Sequence, residues 1–333
     1  MIDTLQFNLS TTDLAGQNYQ YPNYDRIQQR VKFLVKHYLA KEELSDRLQD
    51  LPIQFNHPQP RPWQAIDWQS IELNQIVGIN SEVFLSIILG SIDTEAPIRS
   101  YTQTSRQYLN ALHPQLARFV GGIVENGSLV EIGLWEKEER QHTPALIKIY
   151  TQLTGKKAVP KLRAVRQYQP SDDPYIDLYR HGLHRVATEY GATCLYLWLM
   201  AHTTGQLQMV LEELVKDEIN HMTKFWGFGV WAFPDNSPIK IGRTLLKQRP
   251  AYSKSRSSLL GTLRRMSDVL NWQHWSIRNR ATFTFTCIYI LNHLWNWSKS
   301  LTPEYLQELL GEPLTTKPHN FSLPSSPRVK TQG

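Results

Sequence analysis

Apolar residues recur at helical spacing through most of the chain, which predicts a protein built from long helices. Helices are predicted over residues 24–48, 81 to about 112, 128–153, 175–202, 206–225, 257–270, 277–298 and 302–310. Pro97 should kink the second of these or restart it near Glu95, and Gly155 closes the third. Long helices with short loops and no alternating strand pattern predict an all-α bundle.

Two of the predicted helices each carry a Glu-x-x-His motif preceded by another acid. Glu139 and His142 lie in the segment WEKEERQH, and Glu218 and His221 lie in DEINH. Residues three apart share one face of a helix, so each pair can bind the same ion. One such motif is weak evidence, because acids and histidines are common on solvated helix faces. Two motifs on otherwise apolar faces predict buried carboxylates, and these need a cation nearby.

A two-metal site in a bundle needs one further carboxylate from each remaining helix. Glu189 is the acid within the apolar part of helix 175–202, although an ion pair with Arg185 would also explain it. In the second predicted helix the choice lies between Asp93 and Glu95. The resulting order, Glu, ExxH, Glu, ExxH, is the ligand pattern of ferritin-like di-iron and di-manganese proteins. Carboxylate and imidazole ligands suit iron or manganese and do not suit Cu(I) or structural zinc.

These segments resemble those of one family, the soluble acyl-[acyl-carrier-protein] desaturases. Residues 135–142 (WEKEERQH) are similar to the family's W-x-x-E-E-x-R-H segment, and residues 146–155 (LIKIYTQLTG) to the turns that follow it. Residues 173–175 (DPY) and 217–221 also fit, and the segment TEAP at 94–97 favours Glu95 over Asp93. The resemblance covers about residues 80–226.

The resemblance implies a ferritin-like four-helix bundle with extra N- and C-terminal helices and two iron ions, or a manganese–iron pair. The implied ligands are Glu95, Glu139, His142, Glu189, Glu218 and His221. The implied activity is O2-dependent desaturation of a fatty acyl chain on acyl carrier protein, by a homodimer that receives electrons from ferredoxin. The rivals are a di-iron oxygenase or hydroxylase acting on another lipid or an amine, and a non-catalytic metal-binding or lipid-carrier protein.

Residues around the predicted ligands receive supporting roles. Glu138 and Asp217, each next to a ligand, are expected to accept a hydrogen bond from the histidine of the opposite motif. Trp135 is a candidate for electron transfer, with a plain core tryptophan as the alternative. Five basic residues are candidate docking groups for acidic protein partners, or simply a solvated face. They are Lys156, Lys157, Lys161, Arg163 and Arg166.

Composition and charge restrict the partners and the compartment expected for this protein. The net charge of +6 comes without a nucleic-acid recognition motif, so nucleic acid is not expected as a partner. Two cysteines without metal-ligand spacing, and no evident signal or transit peptide, predict a cytoplasmic or stroma-like reducing compartment. Residues 190–211 and 281–298 are interrupted by polar groups, so no membrane span is predicted. The aromatic-rich segment 281–298 is either a peripheral membrane contact or a dimer or core helix.

Four parts are expected along the chain. Residues 1–62 form an N-terminal helix with a Pro-rich connector, and residues 63–230 form the di-iron bundle. Residues 231–312 add a basic loop and further helices, and residues 313–333 are expected to be disordered.

Overall fold

The computed structural model describes residues 24–98, 101–102, 106, 109, 113–161, 173–235, 237, 239–241, 269–270 and 274–311. Within these ranges the chain is mainly helical, and its one sheet is a two-stranded antiparallel hairpin. The predicted all-α class is therefore confirmed. No helix in these ranges combines the length and apolar character that crossing a membrane requires.

Ten helices and one hairpin are described by these ranges. In chain order they are α1 (Tyr24–Tyr38), α2 (Lys41–Gln49), α3 (Leu51–Gln54), α4 (Ser81–Glu95), α5 (Pro114–Gly121), β1 (Ile123–Glu125), β2 (Ser128–Glu131), α6 (Leu134–Thr154), α7 (Pro174–Ala201), α8 (Gly205–Ala232), α9 (Ile277–Ser298) and α10 (Pro303–Leu310). Two short 3-10 turns, Trp68–Ser70 and Leu73–Gln75, lie between α3 and α4.

Local capping sets where the long helices begin and end. The Asp173 carboxylate accepts hydrogen bonds from the N–H groups of Tyr175 and Ile176 at 3.0 and 3.1 Å, and Pro174 opens α7. Helix α6 ends at Gly155, whose φ of 69° is the left-handed conformation that glycine adopts without strain. These local signals therefore fix the start of α7 and the end of α6.

The four helices α4, α6, α7 and α8 pack around a common interior. Helix α6 contacts both α4 and α8, and α8 lies along α7. Because only residues 202–204 join α7 to α8, the two run antiparallel. The interior is closed by fully buried apolar side chains, each of which stabilises the fold by about 1.5–3 kcal/mol. They include Phe84, Leu146 and Leu211.

Two helix boundaries predicted from the sequence are wrong. The helix expected over 24–48 is two helices, separated where Ala40 adopts an extended ψ of 151°. The helix expected from residue 128 begins at Leu134, because residues 123–131 form the hairpin. Its turn residues Asn126 and Gly127 have φ values of 50° and 78°, as a two-residue type I′ turn requires.

One further predicted boundary, the end of α8, differs, and the other predicted elements agree with the structure or lie outside its described part. Helix α4 ends at Glu95, just before Pro97, and the described residues 98, 101, 102, 106 and 109 are helical again. Helix α8 extends beyond its predicted end to Ala232, whereas α9 matches its prediction. Of the helix predicted over 257–270, only residues 269–270 are described, and the tail 313–333 lies outside the described residues.

Candidate metal centre

The six predicted ligands come together from four helices. Glu95 is the last residue of α4, Glu139 and His142 lie on α6, Glu189 lies on α7, and Glu218 and His221 lie on α8. They form two overlapping groups, and within each group one ligand atom per residue lies within 4.8 Å of the others. The groups are Glu95, Glu139, His142 and Glu218, and Glu139, Glu189, Glu218 and His221. Each group could hold a metal ion, and Glu139 and Glu218 belong to both.

The ligand alternatives left open by the sequence separate in the structure. Asp93 accepts a hydrogen bond from the backbone N–H of Lys161 at 2.8 Å and belongs to neither group. Glu95 instead accepts a hydrogen bond from the hydroxyl of Tyr196 at 3.1 Å. Because Glu95 stands at the end of α4 it is half-buried, whereas the other five candidates are buried.

The Nδ1 atoms of both histidines face the carboxylates. His142 Nδ1 lies 3.2 Å from Glu218 Oε1, and His221 Nδ1 lies 3.2 Å from Glu139 Oε1. Yet among the described residues neither Nδ1 atom nor either carboxylate oxygen of Glu218 has a hydrogen-bond partner. Buried polar atoms are normally hydrogen-bonded. Ligand atoms that converge without hydrogen-bond geometry could instead bind a cation, so the residues of each group fit a metal ion.

When no metal is bound, protons neutralise part of the negative charge of this cluster of acids. Burial and the neighbouring Glu139 raise the pKa of Glu95 and of Glu218 well above the usual range. Burial would also raise the pKa of Glu139, but His142 and His221 lower it to about 2. Burial alone would lower the pKa of each histidine, but the surrounding carboxylates raise both values. Metal ions would therefore displace protons from this site.

A layer of carboxylates lies behind the two histidines. His221 Nε2 lies 2.8 Å from Glu138 Oε2, and His142 Nε2 lies 3.4 Å from Asp217 Oδ2. Each acid therefore faces the histidine of the opposite motif, where the sequence placed it. An Nε2–H that donates to such a carboxylate leaves the Nδ1 lone pair for a metal and holds the ring in place.

Two residues that sequence reasoning missed hold this layer, both from the connector between α3 and α4. The backbone N–H of Arg61 donates to Glu138 Oε1 at 3.0 Å, and its guanidinium donates to Asp217 Oδ1 at 2.8 Å. The indole N–H of Trp63 donates to Asp217 Oδ2 at 2.8 Å. The available signal was an arginine and a tryptophan within the proline-bracketed sequence PRPW.

A buried lysine extends the layer toward the surface. Lys224 is fully buried, and its ammonium group lies 2.6 Å from Asp50 Oδ1 and also donates to the side-chain oxygen of Asn220. Asn220 in turn donates to Glu138 Oε2 at 3.2 Å. A surface cleft of about 540 Å³ reaches Glu138 and Arg61. Solvent thus reaches the edge of the layer behind the ligands at Arg61, on a different side from the half-buried Glu95.

Glu189 lies near both Arg185, its alternative partner, and His221 of the candidate metal site. Arg185 Nη1 lies 3.7 Å from Glu189 Oε1, while Glu189 Oε2 lies 3.5 Å from His221 Nδ1. The Arg185 guanidinium also lies over the rings of Tyr101 and Trp135, at 4.2 and 4.9 Å from their centroids. One oxygen of Glu189 can therefore serve the ion pair while the other faces the cluster.

The predicted electron-transfer tryptophan, Trp135, is a buried core residue beside the site. Its ring centroid lies 6.4 Å from that of His221, and its indole N–H has no hydrogen-bond partner in the part of the chain that the structure describes. The ring of Trp63 lies at a similar distance, 6.3 Å, from that of His142. Trp63 differs in being hydrogen-bonded to the carboxylate behind that histidine.

The predicted docking residues are described only in part. Lys156, Lys157 and Lys161 are exposed in the loop after α6, whereas Arg163 and Arg166 lie outside the described residues. Comparison of the chain with protein-family models, with curated proteins and with solved structures finds no match.

Proposed function

We propose that this protein is an O2-dependent oxidoreductase whose two metal ions are bound by the six converging residues. One observation carries the proposal: the two ligand groups overlap and share Glu139 and Glu218. A shared pair of carboxylates is suited to bridging two cations, and separate mononuclear sites would have no need of it. Oxygen and imidazole ligands favour iron or manganese.

The chain's own residues would bind and orient the metal pair and exclude water. Iron ions bound here would supply the redox chemistry and O2 activation. Glu138 and Asp217 would fix the two imidazole rings, and the buried apolar side chains would keep bulk water from the ligands. Tyr196 would hold Glu95, the ligand nearest the surface.

We further propose that the reaction is desaturation of a fatty acyl chain carried on acyl carrier protein, with electrons from a ferredoxin-type donor. This finer proposal is supported by the resemblance of residues 135–142, 146–155 and 94–97 to the acyl carrier protein desaturases. Both protein partners would be acidic. The exposed basic residues Lys156, Lys157 and Lys161 after α6 are where we would expect one of them, and a homodimer is the proposed assembly.

Metal loading tests the first proposal. Anaerobic loading with Fe(II) should give about two ions per chain, and Glu218→Ala should lose most of both because Glu218 belongs to both groups. The matched control is Glu212→Ala on the same helix, since Glu212 pairs with Lys216 at 2.6 Å and belongs to neither group. A chain that binds no metal after loading, with its helices intact, would reject the proposal.

Product analysis tests the finer proposal. The iron-loaded protein is incubated with reduced ferredoxin, O2 and acyl carrier protein thioesters, and the acyl chains are examined by mass spectrometry. Loss of two hydrogens supports desaturation. Addition of oxygen supports an oxygenase or hydroxylase, and bound iron without O2 consumption after reduction supports a non-catalytic metal protein.

A further inference from the structure

Helix α9 exposes a row of side chains along its whole length. The row follows alternating steps of four and three residues, so it forms one stripe on the helix, about 27 Å long. Its members are Ile277, Ala281, Thr284, Ile288, Leu291 and Trp295. The large apolar members are 84%, 63%, 45% and 49% exposed for Ile277, Ile288, Leu291 and Trp295. Four large apolar groups on one stripe indicate a contact surface.

The opposite face of α9 is attached to the bundle. Thr282 accepts a hydrogen bond from the indole N–H of Trp198 on α7 at 3.0 Å. Trp297 donates from its own indole N–H to the hydroxyl of Ser45 on α2 at 3.1 Å. Because both ends of the helix are held in this way, the stripe is a fixed outer surface of the protein.

The stripe is bordered by positive charge. Residues 269–303 contain no aspartate or glutamate. Arg278 and Arg280 are exposed at one end of the stripe, and Lys299 is exposed at the other. Lys32, exposed on the neighbouring helix α1, places its ammonium group 5.8 Å from the ring centroid of Phe285 on α9. The surface is therefore apolar along its centre and cationic at its edges.

Among the described residues, the helices next to α9 carry acids, and Glu304 on α10 lies five residues after Lys299. Glu42, Glu43 and Asp46 are on α2, which contacts α9 through Trp297 on its buried face. In α1 the one acid is Asp25, two turns before Lys32. The positive border of the stripe is therefore not neutralised by acids of α9 itself.

This charge pattern disfavours a second copy of the chain as the occupant. Antiparallel pairing of two α9 helices would place Lys299 of one copy near Arg278 and Arg280 of the other. Parallel pairing would place each cation beside its own counterpart. Like charges brought together at an interface oppose binding, and a negatively charged partner removes this cost.

We propose that α9 docks the protein on an anionic lipid surface. A helix lying in the interface inserts its apolar stripe among the acyl chains, and flanking Lys and Arg side chains reach the phosphate groups. Trp295 suits the headgroup region, where tryptophan is enriched. A single stripe on one helix matches a flat surface. This docking surface is independent of the metal centre.

Vesicle co-sedimentation tests the proposal with the full chain. The protein should bind phosphatidylcholine vesicles that contain phosphatidylglycerol, and bind weakly to vesicles of phosphatidylcholine alone. Ile288→Asp should weaken binding about tenfold or more, because it removes an apolar group that the lipid would cover and adds a negative charge. Val159→Asp is the matched control, since Val159 is 82% exposed in the loop after α6; it should bind like the unaltered protein.

A charge variant separates the two contributions. Replacing both Arg278 and Arg280 with Gln should weaken binding to anionic vesicles roughly fivefold per charge and leave binding to neutral vesicles unchanged. Binding that is insensitive to Ile288→Asp would overturn the proposal. It would also be overturned if the unaltered protein did not bind anionic vesicles. A dimer in sedimentation that Ile288→Asp dissociates, without vesicle binding, would assign the stripe to a second copy.

Discussion

Replacing Arg61 with alanine would affect the two proposed metal positions unequally. The guanidinium contacts Asp217, which lies behind His142, but it is the backbone N–H of Arg61 that contacts Glu138, behind His221. Alanine removes the first contact and keeps the second. The variant should therefore weaken the metal position that uses His142 much more than the position that uses His221.

The size of the effect follows from the contacts that are lost. The guanidinium donates to Asp217 Oδ1 at 3.1 and 2.8 Å and also pairs with Glu213, and both acids are almost fully buried. Removing one partner of a buried ion pair costs about 3–5 kcal/mol. The Arg61 side chain is 25% exposed, so water replaces part of the interaction and we expect about 2–3 kcal/mol of stability to be lost. Loss of such outer contacts typically lowers metal affinity about 10- to 100-fold.

Anaerobic titration with Co(II), whose absorption reports each coordination site, would measure both positions. Arg140→Ala is the matched control: Arg140 pairs with the buried Glu136 on α6, which belongs to neither ligand group. The control should reduce stability without changing either affinity. Equal weakening of both positions in Arg61→Ala, or no weakening, would refute this account of the outer layer.

Three further predictions concern the rate of reduction, the pH dependence of metal affinity and the pH dependence of stability. Trp63→Phe should slow reduction of the metal pair by an external donor more than Trp135→Phe, because only Trp63 is hydrogen-bonded to Asp217; stopped-flow reduction measures both. Metal affinity should fall as pH falls, since both candidate ligand histidines have raised pKa values and must lose protons on binding; proton release on titration measures this. His113 has its pKa lowered to about 4 by burial. Between pH 6.5 and pH 4 the His113 imidazole is protonated in the unfolded chain but not in the folded one, so acidification through this range lowers the free energy of unfolding by about 3 kcal/mol. Chemical denaturation should show a smaller loss for His113→Asn.

The helical period explains why most of the candidate ligands could be predicted. Glu139 with His142, and Glu218 with His221, are each three residues apart, so any helix through them brings each pair onto one face. Glu189 stood out because a lone acid in an apolar helix is expensive to bury. Asp93 and Glu95 could not be separated by burial arguments, since both lie near the end of α4. The structure separates them through the contact between Asp93 and the backbone of Lys161.

Boundaries failed where a local signal was overlooked or absent. The hairpin was marked in the sequence by Asn126-Gly127 between apolar residues, a turn signal that the helical interpretation of Leu129 and Val130 overrode. The break at Ala40 carries no comparable signal. Leu44 and Leu48 of α2 are fully buried, so tertiary packing decides its direction.

The residues that hold the layer behind the ligands are the least predictable part of the site. Arg61 reaches Asp217 across 156 positions of sequence, and Trp63 reaches it across 154. No periodicity links a connector to a helix at such separations. The sequence nevertheless indicated that hydrogen-bond donors were needed here. The adjacent acids at 138–139 and 217–218 cannot all face one metal pair, and a buried acid that faces away from the metals requires a donor. Such donors are best sought among arginines and tryptophans in proline-rich connectors, because the stiff backbone there can hold a charged group against a helix.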